Sequence, residues 1–390
     1  MGTETDSKDQ VLRKSTTWVV FGDDWGAHPS TTQHLILNMP GDNSAVWIDS
    51  IGMRAPRINL MDLRRIISKT GSMFNAGTIE TNRLYEGTVG KITRIKPRVL
   101  PWHQMPIVVK YNRRWLGKEV PAAMPQNRNE HRILMAANPV AAYYGDVIPH
   151  DKLVYLRLDD YSEYPGCDPE LVADSEAKIY EQADIIVATA RNLLPAEPFT
   201  HKGRYLPQGV QTNAFAGVPI EPPRKPVLGF FGSIARWLDF DLIDSVSRQA
   251  PEWQLEFIGN PDYVPRSMQE QDNITILPPV PFGELWRSVS HWAAAWIPFK
   301  INELTIGVNP LKVREYLAAG LPTHCTPLPE MRDLNEQIFV ASDAGQIVTW
   351  LRKSLRDDSV ELRRKRRLGI ENESWHARAS ALMAMVGNTD

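Results

Sequence analysis

The chain has 390 residues, of which 43% are apolar and 23% charged, and its formal net charge is -2. This composition is that of a folded globular protein, and the length exceeds what one hydrophobic core usually supports, which predicts two domains. Cys167 and Cys325 are too few for a disulfide framework or a cysteine metal site. With a polar start and no long apolar run, the sequence favours a cytoplasmic protein that is not integral to a membrane.

The first half of the chain alternates short apolar runs with helical patterns. Buried strands are predicted over residues 16–22, 45–51, 133–137, 153–158 and 184–188. Prolines separate two further runs, at 99–102 and 106–110, which we expect to be strand fragments. The alternation is typical of βαβ units and predicts a parallel sheet.

Residues 51–118 hold fourteen basic side chains against three acidic ones, an excess that the net charge hides. A basic stretch is most often a solvated face. The interleaved Trp102, Tyr111 and Trp115 also suit contact with an anionic membrane surface through residues 54–118. Nucleic acid is the weaker expectation, because the overall charge is negative and no binding motif is present.

The second half of the chain repeats the alternation after a proline-rich stretch that predicts a linker at 212–226. Strands are predicted over 227–231, 254–258, 274–277, 293–297 and 323–326. Helices are predicted over 241–249, 282–289, 309–320, 344–355 and 360–385. The predicted architecture is α/β, with two Rossmann-like doubly wound domains facing a cleft and ligands at the carboxyl ends of the strands. The first domain is predicted over residues 1–211 and the second over 227–360, with the linker between them. A C-terminal helix within 361–390 is expected to pack back on the first domain.

The helix predicted from residue 309 has the most informative start in the chain. Asn309 suits the N-cap, Pro310 the first helical position, and Gly320 the end. The unpaired N–H groups and partial positive charge of a helix start, joined by Lys312, would stabilise a phosphate. Glu315, three residues further, lies on the same face, so a carboxylate for sugar hydroxyls is available to the same ligand. This combination suits a nucleotide-sugar, although a plain Lys312–Glu315 salt bridge is the alternative.

Carboxylates follow two predicted strands of the first domain. Asp23 and Asp24 come after the first strand with His28 close behind, and Asp159 and Asp160 end a later one. Such positions can hold or deprotonate an acceptor hydroxyl, but an Asp pair can also simply cap a turn. Since neighbouring strand residues face opposite sides, we expect Asp160 to face the ligand.

Several motifs together resemble the GT-B glycosyltransferases. The second domain carries Gly229-Phe230-Phe231-Gly232-Ser233-Ile234 with Arg236, then Phe257-Ile258-Gly259, Ile297-Pro298-Phe299 and Asn309-Pro310-Leu311-Lys312 with Glu315-Tyr316-Leu317-Ala318-Ala319-Gly320. This half is most similar to the large retaining family that uses nucleotide-diphosphate sugars. The first domain, with Phe21-Gly22-Asp23-Asp24-Trp25-Gly26 and Asp159-Asp160-Tyr161, resembles a bacterial subgroup associated with teichuronic acid or exopolysaccharide assembly.

The resemblance implies roles for the motif residues. Gly232 and Ser233 match the loop that approaches the pyrophosphate, with Arg236 near it, and Glu315 matches the ribose ligand. The helix start, Asn309, Pro310, Leu311 and Lys312, would complete the donor site. The family's first acidic motif residue falls on Gly307, so the contact to the donor sugar is unassigned, with Lys312 or Glu303 as candidates.

The expected function is transfer of a sugar from a nucleotide-diphosphate donor to a lipid-linked or glycan acceptor, with retention of configuration. No metal and no other cofactor is expected, because positive groups can stabilise the departing diphosphate. The catalytic candidates are Asp160, Asp24 and His28. A sugar-nucleotide epimerase of the same fold and a non-catalytic nucleotide-sugar-binding protein are the alternatives.

Overall fold

The computed structural model describes residues 16–26, 30–53, 80–81, 91–125, 131–164, 167–334 and 336–387. The chain divides into two compact units, residues 1–207 with 378–390, and residues 208–377. Residues 212–226, predicted as a linker, lie inside the second unit. There Phe215 and Val218 are buried in its hydrophobic core.

The first unit is built on a sheet of eight strands, which follow in chain order: β1 (Thr16–Phe21), β2 (Asn43–Ile48), β3 (Glu80–Thr81), β4 (Lys91–Ile95), β5 (His131–Ala136), β6 (Lys152–Arg157), β7 (Ile185–Ala188) and β8 (Gly203–Tyr205). Their order in the sheet is β3-β4-β2-β1-β5-β6-β7-β8, and only β3 runs antiparallel to its neighbour. All six residues of the central β1 are buried, as expected of a strand covered on both faces. The parallel sheet confirms the predicted α/β class.

Three helices of the first unit are α1 (Thr31–Leu37), α2 (Pro106–Ala123) and α3 (Pro169–Gln182). The strand fragment predicted at 106–110 is wrong, because these residues begin the eighteen-residue α2. Pro106 occupies a first-turn position, where its missing N–H costs nothing. The buried side chains Val108, Asn112, Leu116 and Val120 recur every four residues, which is a helical period.

The second unit contains six parallel strands: β9 (Val227–Phe231), β10 (Gln254–Ile258), β11 (Ile274–Leu277), β12 (Ala294–Ile297), β13 (Thr323–Cys325) and β14 (Phe339–Val340). Their order in the sheet is β11-β10-β9-β12-β13-β14. The order reverses direction between β9 and β12, which is where doubly wound sheets bind ligands. The elements around this point therefore position the candidate site.

The later helices are α4 (Phe240–Gln249), α5 (Arg266–Gln269), α6 (Leu285–Val289), α7 (Glu303–Ile306), α8 (Leu311–Ala318), α9 (Ala344–Asp357), α10 (Val360–Gly369) and α11 (Trp375–Gly387). The single helix predicted over 360–385 is thus two helices. The break near Glu373 is fixed by its carbonyl, which accepts from the Val210 N–H at 2.9 Å, and by its carboxylate, which pairs with Arg314 at 2.6 Å. None of the helices in the described part of the chain combines the length and apolar character needed to span a bilayer.

Candidate functional site

The loop after β9 places Gly232 directly beneath the side chain of Lys312. Gly232 has a φ of 136°, and a Cβ added to it would lie 2.3 Å from Lys312 Cε and 3.1 Å from its Nζ. Both the left-handed backbone and the contact therefore require glycine. The lysine from the start of α8 is thus fixed over the carboxyl end of the central strand.

A second glycine brings the loop after β10 against the same place. Gly259 has a φ of 157°, and its added Cβ would lie 1.9 Å from the carbonyl oxygen of Gly232. The Gly232 N–H donates to the Ile258 carbonyl at 2.8 Å. Two glycine-containing loops therefore pack backbone against backbone, which leaves Lys312 as the side chain above them.

Helix α8 begins one residue later than its sequence suggests, at Leu311 and not at Pro310. Pro310 is the N-cap residue and no side chain caps the helix, so the prediction that Asn309 is the cap is wrong. The Asn309 side-chain oxygen instead accepts from Arg314 Nη1 at 2.7 Å. Because the side chain that would have capped the helix is held elsewhere, the first-turn N–H groups stay available to a ligand.

Glu315 lies one turn into α8 and is 5% exposed. Burial raises the pKa of its carboxyl to about 7, and the positive charge of Lys312 opposes the shift. Burial lowers the pKa of Lys312, which Glu315 opposes. The two groups interact electrostatically, but within the described residues they form no direct ion pair, so the simple salt-bridge alternative is not what the structure shows.

The end of β9 also anchors the next residue of α8. The Phe231 N–H donates to the Tyr316 hydroxyl at 3.1 Å, and the two rings meet edge to face with centroids 4.9 Å apart. This contact fixes the rotation of α8 about its axis. It thereby holds Lys312 and Glu315 on the side of the glycine loops.

Arg236 extends from the loop after β9 and stacks on Tyr263. Its guanidinium carbon lies 4.0 Å from the centre of the Tyr263 ring, and the ring packs edge-on against Phe240 at 5.5 Å. The Tyr263 N–H donates to the Ile234 carbonyl at 2.9 Å, which joins the two loops. Arg236 is exposed and has no carboxylate partner among the described residues, so its N–H donors are free for an anion. No motif in the sequence pointed to Tyr263.

Gly307, where the resemblance expects an acidic residue, ends the short helix α7. It is buried, so the structure offers no side chain at this position. Glu303 is exposed in the first turn of α7, and Asn302 caps that turn by accepting from the Thr305 N–H at 3.1 Å. Ser233, beside Gly232, is exposed.

In the first unit, the carboxylates predicted at the strand ends divide into two roles. Asp160 Oδ1 accepts from the N–H of Ser162 at 3.2 Å and from its hydroxyl at 2.5 Å, and Oδ2 lies 3.9 Å from Arg157. This is the turn-capping alternative that the sequence left open. The expectation that Asp160 faces the ligand stays a prediction.

Asp159, which the sequence ranked behind Asp160, has a carboxyl whose pKa is perturbed. Its pKa is raised to about 7, chiefly by burial and then by the negative charges of Asp23 and Asp160. The negative charge of Asp159 also acts on the hydroxyl groups of Tyr161 and Tyr164. The Tyr161 hydroxyl donates a hydrogen bond to the Ala137 carbonyl at 2.9 Å. An electrostatic cluster of this kind depends on contacts between separate strands, which sequence alternation cannot reveal.

Asp23 and Asp24 follow β1, and His28 lies outside the described residues. The Asp23 side chain has exposed area, yet nearby protein removes enough water from the carboxyl to raise its pKa, and Asp24 adds to the shift. A hydrogen bond with Ser30 opposes the change. The Trp47 indole N–H donates to the Asp23 carbonyl at 2.9 Å, which fixes the loop at the strand end.

Solved structures with the same fold include proteins that were crystallised with UDP and a sugar. HepE from Anabaena, solved with UDP and glucose, matches with a TM-score of 0.59 and 9% identity, over 96% of this chain and 100% of that one. A TarM variant from S. aureus, solved with fondaparinux, α-GlcNAc-glycerol and UDP, matches with a TM-score of 0.58 and 9% identity, over 96% of this chain and 100% of that one. The chain therefore has the GT-B fold, and its predicted resemblance to GT-B glycosyltransferases is confirmed.

One curated relative adds a sequence match. TuaH of Bacillus subtilis (strain 168), whose name describes a teichuronic acid biosynthesis glycosyltransferase, is 25% identical over 203 residues. The match covers 46% of this chain and 51% of TuaH, so it spans about half the length of the relative. No family model matches the sequence.

Proposed function

We propose that the protein is a glycosyltransferase that moves a sugar from a nucleotide-diphosphate donor to a lipid-linked or glycan acceptor in surface polysaccharide synthesis. The reaction would retain anomeric configuration and need no metal ion. The observation that carries the proposal is Lys312, fixed over Gly232 at the uncapped start of α8. UDP in HepE and TarM, and the name of TuaH, support the donor class and the pathway.

The chemistry of transfer requires negative charge on the departing diphosphate to be stabilised. Lys312, the N–H groups of Leu311 and Lys312, and the stacked Arg236 are positive groups whose positions are set before the donor binds. Such preorganised donors act without reorganisation when the glycosidic bond breaks. They supply the role that a divalent cation has in other phosphoryl and glycosyl transfers, which is the basis for proposing metal independence.

Glu315 is proposed to accept hydrogen bonds from the ribose hydroxyls. Its carboxyl is nearly buried beside Lys312 and is not engaged by another side chain among the described residues. A buried acceptor that lacks a protein partner gains most from a ligand donor. Lys312 on phosphate and Glu315 on ribose would together set the register of the nucleotide.

The first unit is proposed to orient the acceptor hydroxyl. Asp24, Asp160 and His28 remain predictions, and the contacts of Asp160 lead us to place Asp159, with Asp23 beside it, in the acceptor-facing role. A carboxyl whose pKa is about 7 exchanges a proton near neutral pH, as acid–base groups do. A retaining transfer does not require a strict general base, so positioning is the main contribution.

Gly307 favours one second candidate, a nucleotide-sugar-binding protein that does not turn over its ligand. Without a side chain at this position, the donor sugar lacks the contact that the resemblance expects. Such a protein would keep the nucleotide contacts of Lys312 and Glu315. A sugar-nucleotide epimerase would likewise bind the donor but transfer no sugar.

Release of nucleoside diphosphate from a panel of nucleotide-sugars, with and without bacterial lipid extract as acceptor, tests the proposal. A transferase releases the nucleotide faster with the extract, and the new linkage has the anomeric configuration of the donor by NMR. An unchanged rate with EDTA supports metal independence. Tight nucleotide binding without turnover in any mixture would favour the binding protein, and isomerised donor would favour the epimerase.

A lipid-linked acceptor would place the enzyme at the inner face of the cell membrane, as a peripheral protein. Most of the basic region 54–118 before residue 91 lies outside the described residues. The described remainder includes α2, which has an exposed surface.

A further inference from the structure

The solvent-facing side of α2 carries an unbroken line of apolar and basic residues. Residues 107, 111, 114 and 118 follow one another at intervals of four, three and four, so they lie along one side of the helix. Opposite them, Val108, Asn112, Leu116 and Val120 face the core. The line is thus a surface that the described part of the chain leaves uncovered.

The apolar part of this surface is at the beginning of the helix. Ile107 is 75% exposed, Tyr111 49%, Met105 48% and Trp102 36%. These four are half of the large apolar side chains that are exposed among the described residues. Single exposed apolar residues are ordinary, but four within ten positions at the start of one helix indicate a contact site.

Basic residues continue the surface toward the end of the helix. Lys110, Arg114 and Lys118 are exposed, and Lys118 lies 3.2 Å from Glu119. Lys110 and Arg114 have no carboxylate partner in the part of the chain that the structure describes. Arg113, turned away from the line, is already paired with Asp146.

We propose that Trp102, Met105 and the exposed side of α2 form a docking surface for a bilayer that contains anionic phospholipids. An interfacial helix combines aromatic and aliphatic side chains that enter the boundary of the acyl chains with cations that meet the headgroups. Lys110 and Arg114, with which no described carboxylate pairs, supply the charge complementarity to anionic headgroups. The inference rests on the proposed function only for its purpose, which is to bring the enzyme to a lipid-linked acceptor.

Flotation of the full chain with vesicles tests this surface without any donor. Wild-type protein should float with phosphatidylcholine vesicles in which about a third of the lipid is phosphatidylglycerol, and not with pure phosphatidylcholine. The variants Lys110→Gln/Arg114→Gln and Ile107→Ser/Tyr111→Ser should each lower partitioning roughly tenfold or more, because two interfacial contacts are lost. Ile107→Trp should retain binding, since an indole also suits the interface.

A matched control removes the same charge from another exposed helix. Arg364→Gln/Lys365→Gln changes α10, which also exposes Leu362 and Leu368, and it should leave flotation unchanged. The proposal is overturned if the control abolishes flotation, if binding does not depend on Ile107 and Tyr111, or if wild-type protein ignores anionic lipid. Capture of a protein instead of vesicles by this surface would overturn it too. All variants should bind UDP as wild type does, so a failure here is separate from a failure of the transferase proposal.

Discussion

At the scale of single residues, the structure brings together side chains that are far apart in the sequence. Lys312 and Gly232 are eighty positions apart, yet the lysine covers the glycine. The sequence predicted both residues through motifs, because glycine turns and helix starts are local features. Asp159 was named but ranked behind Asp160, and Tyr263 was not singled out, because their significance depends on Asp23 and Arg236, which only the fold places beside them.

Lys312→Met should weaken binding of UDP by about ten- to a hundredfold, as expected for loss of one charge-assisted hydrogen bond to phosphate. Methionine keeps most of the packing over Gly232, so the change tests charge and not volume. Titration calorimetry with UDP and with uridine measures it, and the affinity for uridine should not change. Lys353→Met, at an exposed position on α9, is the control. Equal UDP affinities for the two variants would remove Lys312 from the phosphate site.

Tyr263→Leu should weaken UDP binding about two- to fivefold, because an exposed cation–π contact that orients Arg236 contributes about 0.5–1 kcal/mol. Tyr263→Phe keeps the ring and should bind as wild type does. The control is Tyr205→Leu, which removes a similar stack from Arg191, 4.2 Å from that ring, in the first unit. If the leucine and phenylalanine variants at 263 behave alike, the ring does not position the arginine.

Glu315→Gln should stabilise the protein at high pH and much less at low pH. The folded-state pKa of about 7 lies above the ordinary value of 4.5, so the native state holds the extra proton between these values and stability falls as pH rises through them. At about pH 8 the buried charge costs up to roughly 3 kcal/mol, which glutamine avoids. Urea unfolding at about pH 5 and about pH 8 measures the difference. A gain of equal size at both pH values would contradict the assignment.

At the scale of elements, the strands of the second unit were predicted best. The observed bounds of β9, β10 and β11 are those predicted, because short apolar runs between turn residues leave little ambiguity. The strand prediction for residues 106–110 was wrong because Val108 and Val109, close to proline, are typical of a strand. The helical period that decides the structure is visible only over residues 108–120. The helical pattern of the longer segment therefore determines the structure of these five residues.

A core substitution tests the helical register of α2, the helix that begins where a strand fragment was expected at 106–110. Leu116→Ala should destabilise the first unit by about 2–5 kcal/mol, since Leu116 is fully buried and its loss leaves a cavity. Lys118→Ala, two residues away on the exposed side, should change stability by less than about 0.5 kcal/mol. Denaturant unfolding of both variants provides the measurement. Similar effects at 116 and 118, which a strand would place on one face, would contradict the helical register.

At the scale of the whole molecule, the first unit is built from two separate segments of the chain. After residues 208–377 complete the second unit, residues 378–390 belong to the first. Within that first unit, the Lys152 ammonium on β6 donates to the Val386 carbonyl at 3.0 Å, and the Asn43 side chain on β2 contacts Met383 Sδ at 4.0 Å. Two strands of the first sheet are thus in contact with α11, most of which follows the second unit.

Removing residues 378–390 should therefore weaken the first unit although its sheet is intact. The truncation deletes the buried side chains of Ala379, Leu382 and Val386, which are at most 3% exposed. Each such aliphatic side chain contributes about 1–3 kcal/mol when buried, so the loss is a large part of the stability of one unit. Hydrogen exchange should show faster exchange in β2 and β6, while β9 and β10 keep their protection. Unchanged protection in β6, or equal loss in both units, would show that the end of the chain does not stabilise the first unit in this way.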